Sequence, residues 1–184
     1  EEAAQGALKL MHELGEMLKE LSGLDAITLQ PAAGAHGELT GIMIARAYHL
    51  DQGRPRKKIL VPDSAHGTNP ATAALCGYEA VQLVTGPKGV LEIEEVRKHM
   101  DEDVAAIMIT NPNTLGLFED HVKEIADIVH AKGGLVYCDG ANFNALVGTA
   151  RLAKLGVDIL HLNLHKTFST PHRGGGPGAG PGGG

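Results

Sequence analysis

Six consecutive apolar residues, Val104-Ala105-Ala106-Ile107-Met108-Ile109, constrain this chain more than any other stretch. A strand with one wet face alternates apolar and polar residues, because successive side chains point to opposite faces. A run without a polar interruption belongs to a strand covered on both faces, the usual condition of parallel sheets. The run is also far short of the ~20 apolar residues a membrane helix needs.

The flanking sequence follows suit. Leu8, Met11, Leu14, Leu18 and Leu21 recur at spacings of three and four, one face of a helix that Gly23 can close in a left-handed conformation. A short strand is expected over 26–29, a turn over 31–37 and a second helix over 38–50. Beyond it, strands at 59–61, 81–84, 104–109, 135–138 and 157–160 interleave with helices at 91–100 and 120–132. Asn69-Pro70 reads as an N-cap followed by proline at the first helical position, with Gly77 at the far end. This alternation predicts an α/β fold, three layers α/β/α around a mainly parallel sheet.

Composition limits the partners of such a domain. The 184 residues suffice for one hydrophobic core, and 43% apolar with 21% charged residues is an ordinary globular balance. Net charge is −6, and the one basic cluster, Arg54–Lys58, reads as a solvated turn, so nucleic acid is not an expected partner. Cys76 and Cys138 sit in apolar surroundings without metal-ligand spacing; buried reduced thiols fit a reducing, cytoplasmic compartment. No membrane association is expected. The chain opens inside a helical pattern and ends in the glycine-rich stretch 174–184 with no expected closing helix or strand, and so reads as a fragment.

In open α/β sheets, ligands bind beyond the carboxyl ends of the strands. Gly34-Ala35-His36, Asp63-Ser64-Ala65-His66, Asn111-Pro112-Asn113-Thr114, Asp139-Gly140-Ala141-Asn142 and His165-Lys166-Thr167 all fall at such places, where one crevice can gather them. A lysine on the floor of an apolar site has a depressed pKa, because desolvation disfavours its ammonium form, and then attacks aldehydes. A carboxylate on a neighbouring strand end can hold a pyridinium nitrogen protonated. A glycine-containing turn at a helix N-terminus can bind a phosphate through free N–H groups. These three together are the minimum protein equipment for pyridoxal phosphate. Each alone has a plainer reading: Lys166 as a surface lysine, Asp139-Gly140 as turn chemistry, Gly34 as a strand terminator.

The segments 30–41, 63–71, 110–119, 139–142 and 161–168, with the downstream Gly174–Gly178, resemble the glycine decarboxylase P-protein family, above all the second subunit of its two-subunit bacterial form. The resemblance implies the large domain of the aspartate-aminotransferase-like fold, fold type I of the pyridoxal-phosphate enzymes. Residues 1–184 would be that domain, without an N-terminal segment and a smaller C-terminal domain. It implies Lys166 as the Schiff-base lysine, Asp139 as the partner of the pyridine nitrogen and His66 stacked on the cofactor ring. Gly34, Ala35 and His36 match the phosphate-binding turn, and Thr114 and Asn142 are pocket residues. His165 falls near phosphate or substrate, with a structural role as the alternative. The implied activity is that of a glycine dehydrogenase, an oxidoreductase that decarboxylates glycine and passes the aminomethyl group to the lipoyl arm of a carrier protein (the H-protein). The implied assembly is a heterotetramer with a partner subunit. Arg173 stands where the family has glycine, a departure expected to disturb that loop.

Three rival readings differ in class. Another fold type I enzyme (aminotransferase, aldolase or cysteine desulfurase) would share the local chemistry, and only the sequence around His66 and Lys166 separates it. A metal hydrolase on His161 and His165 meets a geometric obstacle: in a strand running into a loop they stand about 13 Å apart, too far to share an ion. A non-catalytic structural subunit is opposed by the presence of both Lys166 and Asp139. No Gly-Lys-Ser/Thr follows the terminal glycines, which excludes a nucleotide loop of that type.

Overall fold

The structure, a computed structural model, describes residues 2–174 and 176–184. Glu1 and Gly175, the latter inside the Gly174–Gly178 run, lie outside the described residues. Helix α1 (Gln5–Ser22) leads through strand β1 (Ile27–Thr28) to helix α2 (Gly34–Asp51). Strands and helices then alternate as β2 (Lys58–Pro62), α3 (Thr68–Leu75), β3 (Glu79–Leu83), α4 (Ile93–His99), β4 (Val104–Thr110), α5 (Val122–Ala131) and β5 (Leu135–Gly140). The chain closes with β6 (Ile159–Leu162), the single helical turn α6 (Leu164–Thr167), β7 (His172–Arg173), β8 (Gly176–Pro177) and β9 (Gly182–Gly183).

Seven strands form one sheet in the order β1-β9-β6-β5-β4-β2-β3, and β7 pairs with β8 apart from it. The neighbouring pairs from β6 to β3 are parallel; β9 runs antiparallel to both β1 and β6. Every residue of β4 is buried. Its side chains divide between two cores: Val104, Ile107 and Ile109 join Leu18, Val96 and Ile125 of α1, α4 and α5, whereas Ala105 and Met108 join Ile42 and Ala73 of α2 and α3, strict alternation holding over 107–109 and breaking at the register shift between Val104 and Ala106. Burying each large aliphatic side chain stabilises the fold by about 1.5–3 kcal/mol. The expected three-layer α/β/α architecture is present.

The differences from expectation have local causes. The glycine-rich end carries a strand, β9, inserted between β1 and β6. Only glycine fits: a Cβ on Gly183 would lie 2.5 Å from the Ala26 carbonyl oxygen. Helix α2 starts at Gly34, so the expected turn contributes its first helical residues. Asn69 is not the cap of α3, which starts at Thr68; its amide reaches Asp139 instead. Strand β6 falls two residues later than expected, and α6 replaces the expected loop after it. On α1 the apolar face is buried only from Leu14 onward, leaving Leu8 and Met11 exposed. Arg56 is not simply solvated: its guanidinium donates to the carbonyls of Val104 and Lys132, tying the start of β4 to the end of α5. Both cysteines are free, Cys138 buried and Cys76 half-buried. Among the described residues no helix is long and apolar enough to cross a membrane.

Helix α2 approaches the sheet on a face of glycines. A Cβ at Gly37 would come 2.4 Å from the Gly180 carbonyl oxygen, and one at Gly41 would come 2.7 Å from the ring of Tyr137. Backbone cannot move aside as a side chain end can, so Gly37→Ala is expected to destabilise the protein by about 1–3 kcal/mol in chemical denaturation. Gly6 on α1 has nothing within 4 Å, and Gly6→Ala is expected to be neutral or to stabilise by up to about 1 kcal/mol. Equal effects at the two sites would refute this account of the α2 packing.

Candidate active site

The carboxyl ends of β4, β5 and β6 open into a cleft of about 600 Å³, bordered on one side by the N-terminus of α2. Its lining includes Gly34, Ala35, His66, Thr114, Asp139, Asn142, His165 and Lys166, eight of the nine residues singled out by sequence. The ninth, His36, is exposed and outside the lining; its backbone N–H donates to the Ala33 carbonyl.

Asp139 ends β5 with its carboxylate buried. Two N–H groups donate to its oxygens, Ala141 N at 3.0 Å from Oδ1 and Asn69 Nδ2 at 3.2 Å from Oδ2, and His161 Nε2 stands 3.5 Å from Oδ1. Parallel pairing puts His161 of β6 beside Asp139, and α3 supplies Asn69 from the facing layer. Lys166 sits on α6 beyond the end of β6, exposed at the cleft rim. It is not on an apolar floor; the helical turn lifts it past the strand end, and the described residues do not enclose it.

His66 is exposed, and its Nδ1 is held by Thr68, whose backbone N–H lies at 3.2 Å and whose hydroxyl lies at 2.7 Å. The Thr68 hydroxyl also donates to Glu38, as does that of Thr72. Thr114 donates to the Ser64 carbonyl, and the Asn142 amide donates to the Pro112 carbonyl, so both are tied to the loops around the cleft. His165 stacks on His172 at 4.2 Å and accepts from Ala179 N. Burial, together with the His172 and Lys166 charges, holds the His165 imidazole below its usual range.

Sequence reasoning did not select Glu38, His161, Asn163, Asn69 and Thr110 for this site. Glu38 lies on the glycine-bearing face of α2 with Gly34 and Gly41, a polar residue where the pattern calls for small ones. His161 interrupts the otherwise apolar Ile159–Leu162 strand. Those two interruptions were legible signals. Thr110 was not, since its buried hydroxyl gains meaning only from lining the cleft without a hydrogen-bond partner. Arg173, also in the lining, adopts the glycine-like φ of 60° and pairs with Gly176. Among the described residues no group of three or more His, Cys, Asp and Glu is placed to hold a metal ion.

Residues 37–172 match the aminotransferase class-V family. The chain belongs to that family. It is 61% identical over 181 residues to a probable glycine dehydrogenase (decarboxylating) subunit 2 of Chloroherpeton thalassium, covering 98% of this chain and 37% of that protein. A protein of the same name from Pyrococcus furiosus is 58% identical over 182 residues, covering 98% and 36%. The chain thus spans less than two-fifths of the length of these curated relatives. A crystal structure of glycine decarboxylase (P-protein) of the glycine cleavage system, in inhibitor-bound form, superposes with a TM-score of 0.79 at 24% identity, over 99% of this chain and 40% of that one. The fold is that of the fold type I pyridoxal-phosphate enzymes.

Pyridoxal phosphate is the cofactor of this family, and the cleft fits it. Asp139 supplies a buried carboxylate suited to a protonated ring nitrogen. The α2 N-terminus presents Gly34 and Ala35, and His165, Lys166, His172 and Arg173 add basic groups suited to a phosphate. The unpartnered Thr110 hydroxyl offers a further polar contact.

Burial pushes the Glu38 carboxyl above its usual range, with the Asp139 charge adding to the shift against the Thr72 and Thr68 hydroxyls. The folded state therefore holds this proton to higher pH than the unfolded chain does. Stability should fall as pH rises from the ordinary carboxyl value of 4.5 through the folded-state value. Glu38→Gln removes that titration, so the variant should gain stability relative to the parent as pH increases through this window, measured by urea denaturation at a series of pH values. A constant difference between the two proteins would show that Glu38 is not the group responsible.

Proposed function

We propose that the chain is the cofactor-bearing large domain of a glycine dehydrogenase (decarboxylating), acting on glycine and passing the aminomethyl group to the lipoyl arm of a carrier protein. One observation carries this reading: a chain 61% identical, along 98% of its length, to a protein of that name brings Lys166 and Asp139 to one cleft. The word subunit in those relatives' names supports a partner subunit in a heterotetramer, and two free cysteines support the cytoplasm.

Bound pyridoxal phosphate supplies an electron sink for the electrons left behind when the glycine carboxylate departs as carbon dioxide. The chain's own groups do the rest. Lys166 holds the cofactor through its amine. Gly34 and Ala35 offer backbone N–H groups to the phosphate, beside the basic rim of His165, His172 and Arg173. Asp139 holds a proton on the ring nitrogen, because a fixed anion stabilises the charge there. His66, its ring anchored through Nδ1 by Thr68, covers one face of the cofactor. Thr114 and Asn142 shape the loops that border it.

Adding pyridoxal phosphate to the protein should produce a visible absorption band, and borohydride reduction should leave the label on the Lys166 peptide. Lys166→Ala should lose both. Carboxyl-labelled glycine should release carbon dioxide, and Asp139→Ala should slow that release by about a hundredfold while leaving the cofactor attached. Label on another lysine overturns the cofactor assignment. Amino-group exchange or sulfide release in place of carbon dioxide overturns the substrate.

A further inference from the structure

Behind Asp139 lies a second layer of polar groups. Tyr137 of β5 is completely buried, and its hydroxyl is 2.5 Å from His161 Nδ1. The two rings lie nearly parallel, at 20° and 6.1 Å between centroids. The other imidazole nitrogen, Nε2, faces oxygens: Asn163 Oδ1 at 3.2 Å and Asp139 Oδ1 at 3.5 Å. Asn163 in turn presses on the phosphate turn, since its amide nitrogen occupies the space where a Cβ on Gly34 would lie.

These contacts determine where the protons sit. A carboxylate oxygen can only accept, so the nitrogen beside it must carry the hydrogen. A neutral imidazole protonated at Nε2 has its lone pair on Nδ1, which must then accept from the Tyr137 hydroxyl. Burial and the charges of Asp139 and Glu38 push the Tyr137 phenol well above its usual titration, which keeps that donor proton in place. The order of donation is therefore phenol to imidazole, and imidazole toward carboxylate and amide.

We propose that Tyr137 and His161 are positioning residues for the cofactor site. The Tyr137 hydroxyl locks His161 in its Nε2–H form, and that N–H fixes both Asp139, where the ring nitrogen binds, and Asn163, which backs the phosphate turn. Both act through Asp139 and Asn163. The inference rests on the pyridoxal-phosphate reading of the cleft for its purpose, though not for its geometry. A histidine protonated at Nδ1 would turn a lone pair toward the Asp139 carboxylate and the Asn163 amide oxygen, leaving both without that donor.

The test has one arm without cofactor and one with it. In histidine ¹⁵N-labelled protein at alkaline pH, His161 should show Nε2 protonated and Nδ1 bare. In Tyr137→Phe, which removes one oxygen and keeps the ring, the His161 nitrogen signals should shift toward a mixture of tautomers. A wild-type His161 protonated at Nδ1, or identical signals in the variant, overturns the relay. With ring-¹⁵N pyridoxal phosphate bound, the ring nitrogen should read as protonated in the wild type. His161→Leu should lose that signature, whereas His161→Gln, whose amide can again point an N–H at Asp139, should restore it. A merely structural histidine would leave the ring nitrogen unmoved in both variants, and that outcome also overturns the proposal. If the cofactor fails to attach to the wild-type protein, the functional reading falls, while the tautomer measurement still decides the relay by itself.

Discussion

Close approach of helix α2 to the sheet is the contact on which the rest of the site depends. Gly37 lies against the backbone of Gly180, and Gly41 lies against the ring of Tyr137, so the helix descends to a depth that any side chain would prevent. That depth brings the α2 N-terminus to the strand ends and lowers Glu38 into a buried position beside Thr68 and Thr72 of the next helix. The partner surface is made by the chain's last residues. Gly180 donates to the Pro31 carbonyl, and β9 fills the gap between β1 and β6, so the glycine-rich end forms the wall against which α2 is seated. Two glycine-rich stretches far apart in sequence thus meet backbone to backbone.

The parallel sheet supplies the second requirement, a set of strand ends in one plane. Because β4, β5 and β6 run the same way, Thr110, Asp139 and His161 arrive together at the edge of the cleft. Register does the fine positioning: Asp139 pairs directly with Thr110 on one side and His161 on the other. The buried carboxylate is consequently surrounded by polar groups, and its cost of burial is offset by the N–H groups of Ala141 and Asn69, with the imidazole beyond. The basic groups take the opposite position, on the rim. Lys166, His165, His172 and Arg173 are contributed by α6 and the β7 strand beyond it. The Asp139 carboxylate inside and the Lys166 and Arg173 cations at the rim give the cleft a polarity suited to a cofactor that carries both a basic ring nitrogen and a phosphate.

Relatives and structure carry different weights here. The match to the aminotransferase class-V family establishes membership, and the superposition at 24% identity establishes the fold. Glycine as substrate rests on relatives that are about 60% identical over a segment covering less than two-fifths of their own length. The cleft's own groups, a buried carboxylate and a basic rim, suit the cofactor and leave the amino acid open.

Local chemistry made much of this legible in advance. The uninterrupted run Val104–Ile109 announces a strand covered on both faces, and Gly23 closes α1 in the left-handed conformation, at φ 81°. Eight of the nine selected residues line one cleft: six lie at or beyond the ends of β2, β4, β5 and β6, which topology makes parallel neighbours, and Gly34 and Ala35 come from the start of α2. What sequence could not decide was depth and pairing across long separations. Asn69 looks like a helix cap until the fold brings Asp139 within reach of its amide, 70 residues away. The terminal glycines look like a featureless tail until β9 enters the gap between β1 and β6, where Gly183 has no room for a side chain. Likewise, nothing near Lys166 in sequence tells that α6 carries it to the rim and not the floor. Periodicity and turn chemistry are properties of neighbouring residues and can be read along the chain. Burial, register and the proton on an imidazole are set by atoms that only folding brings together.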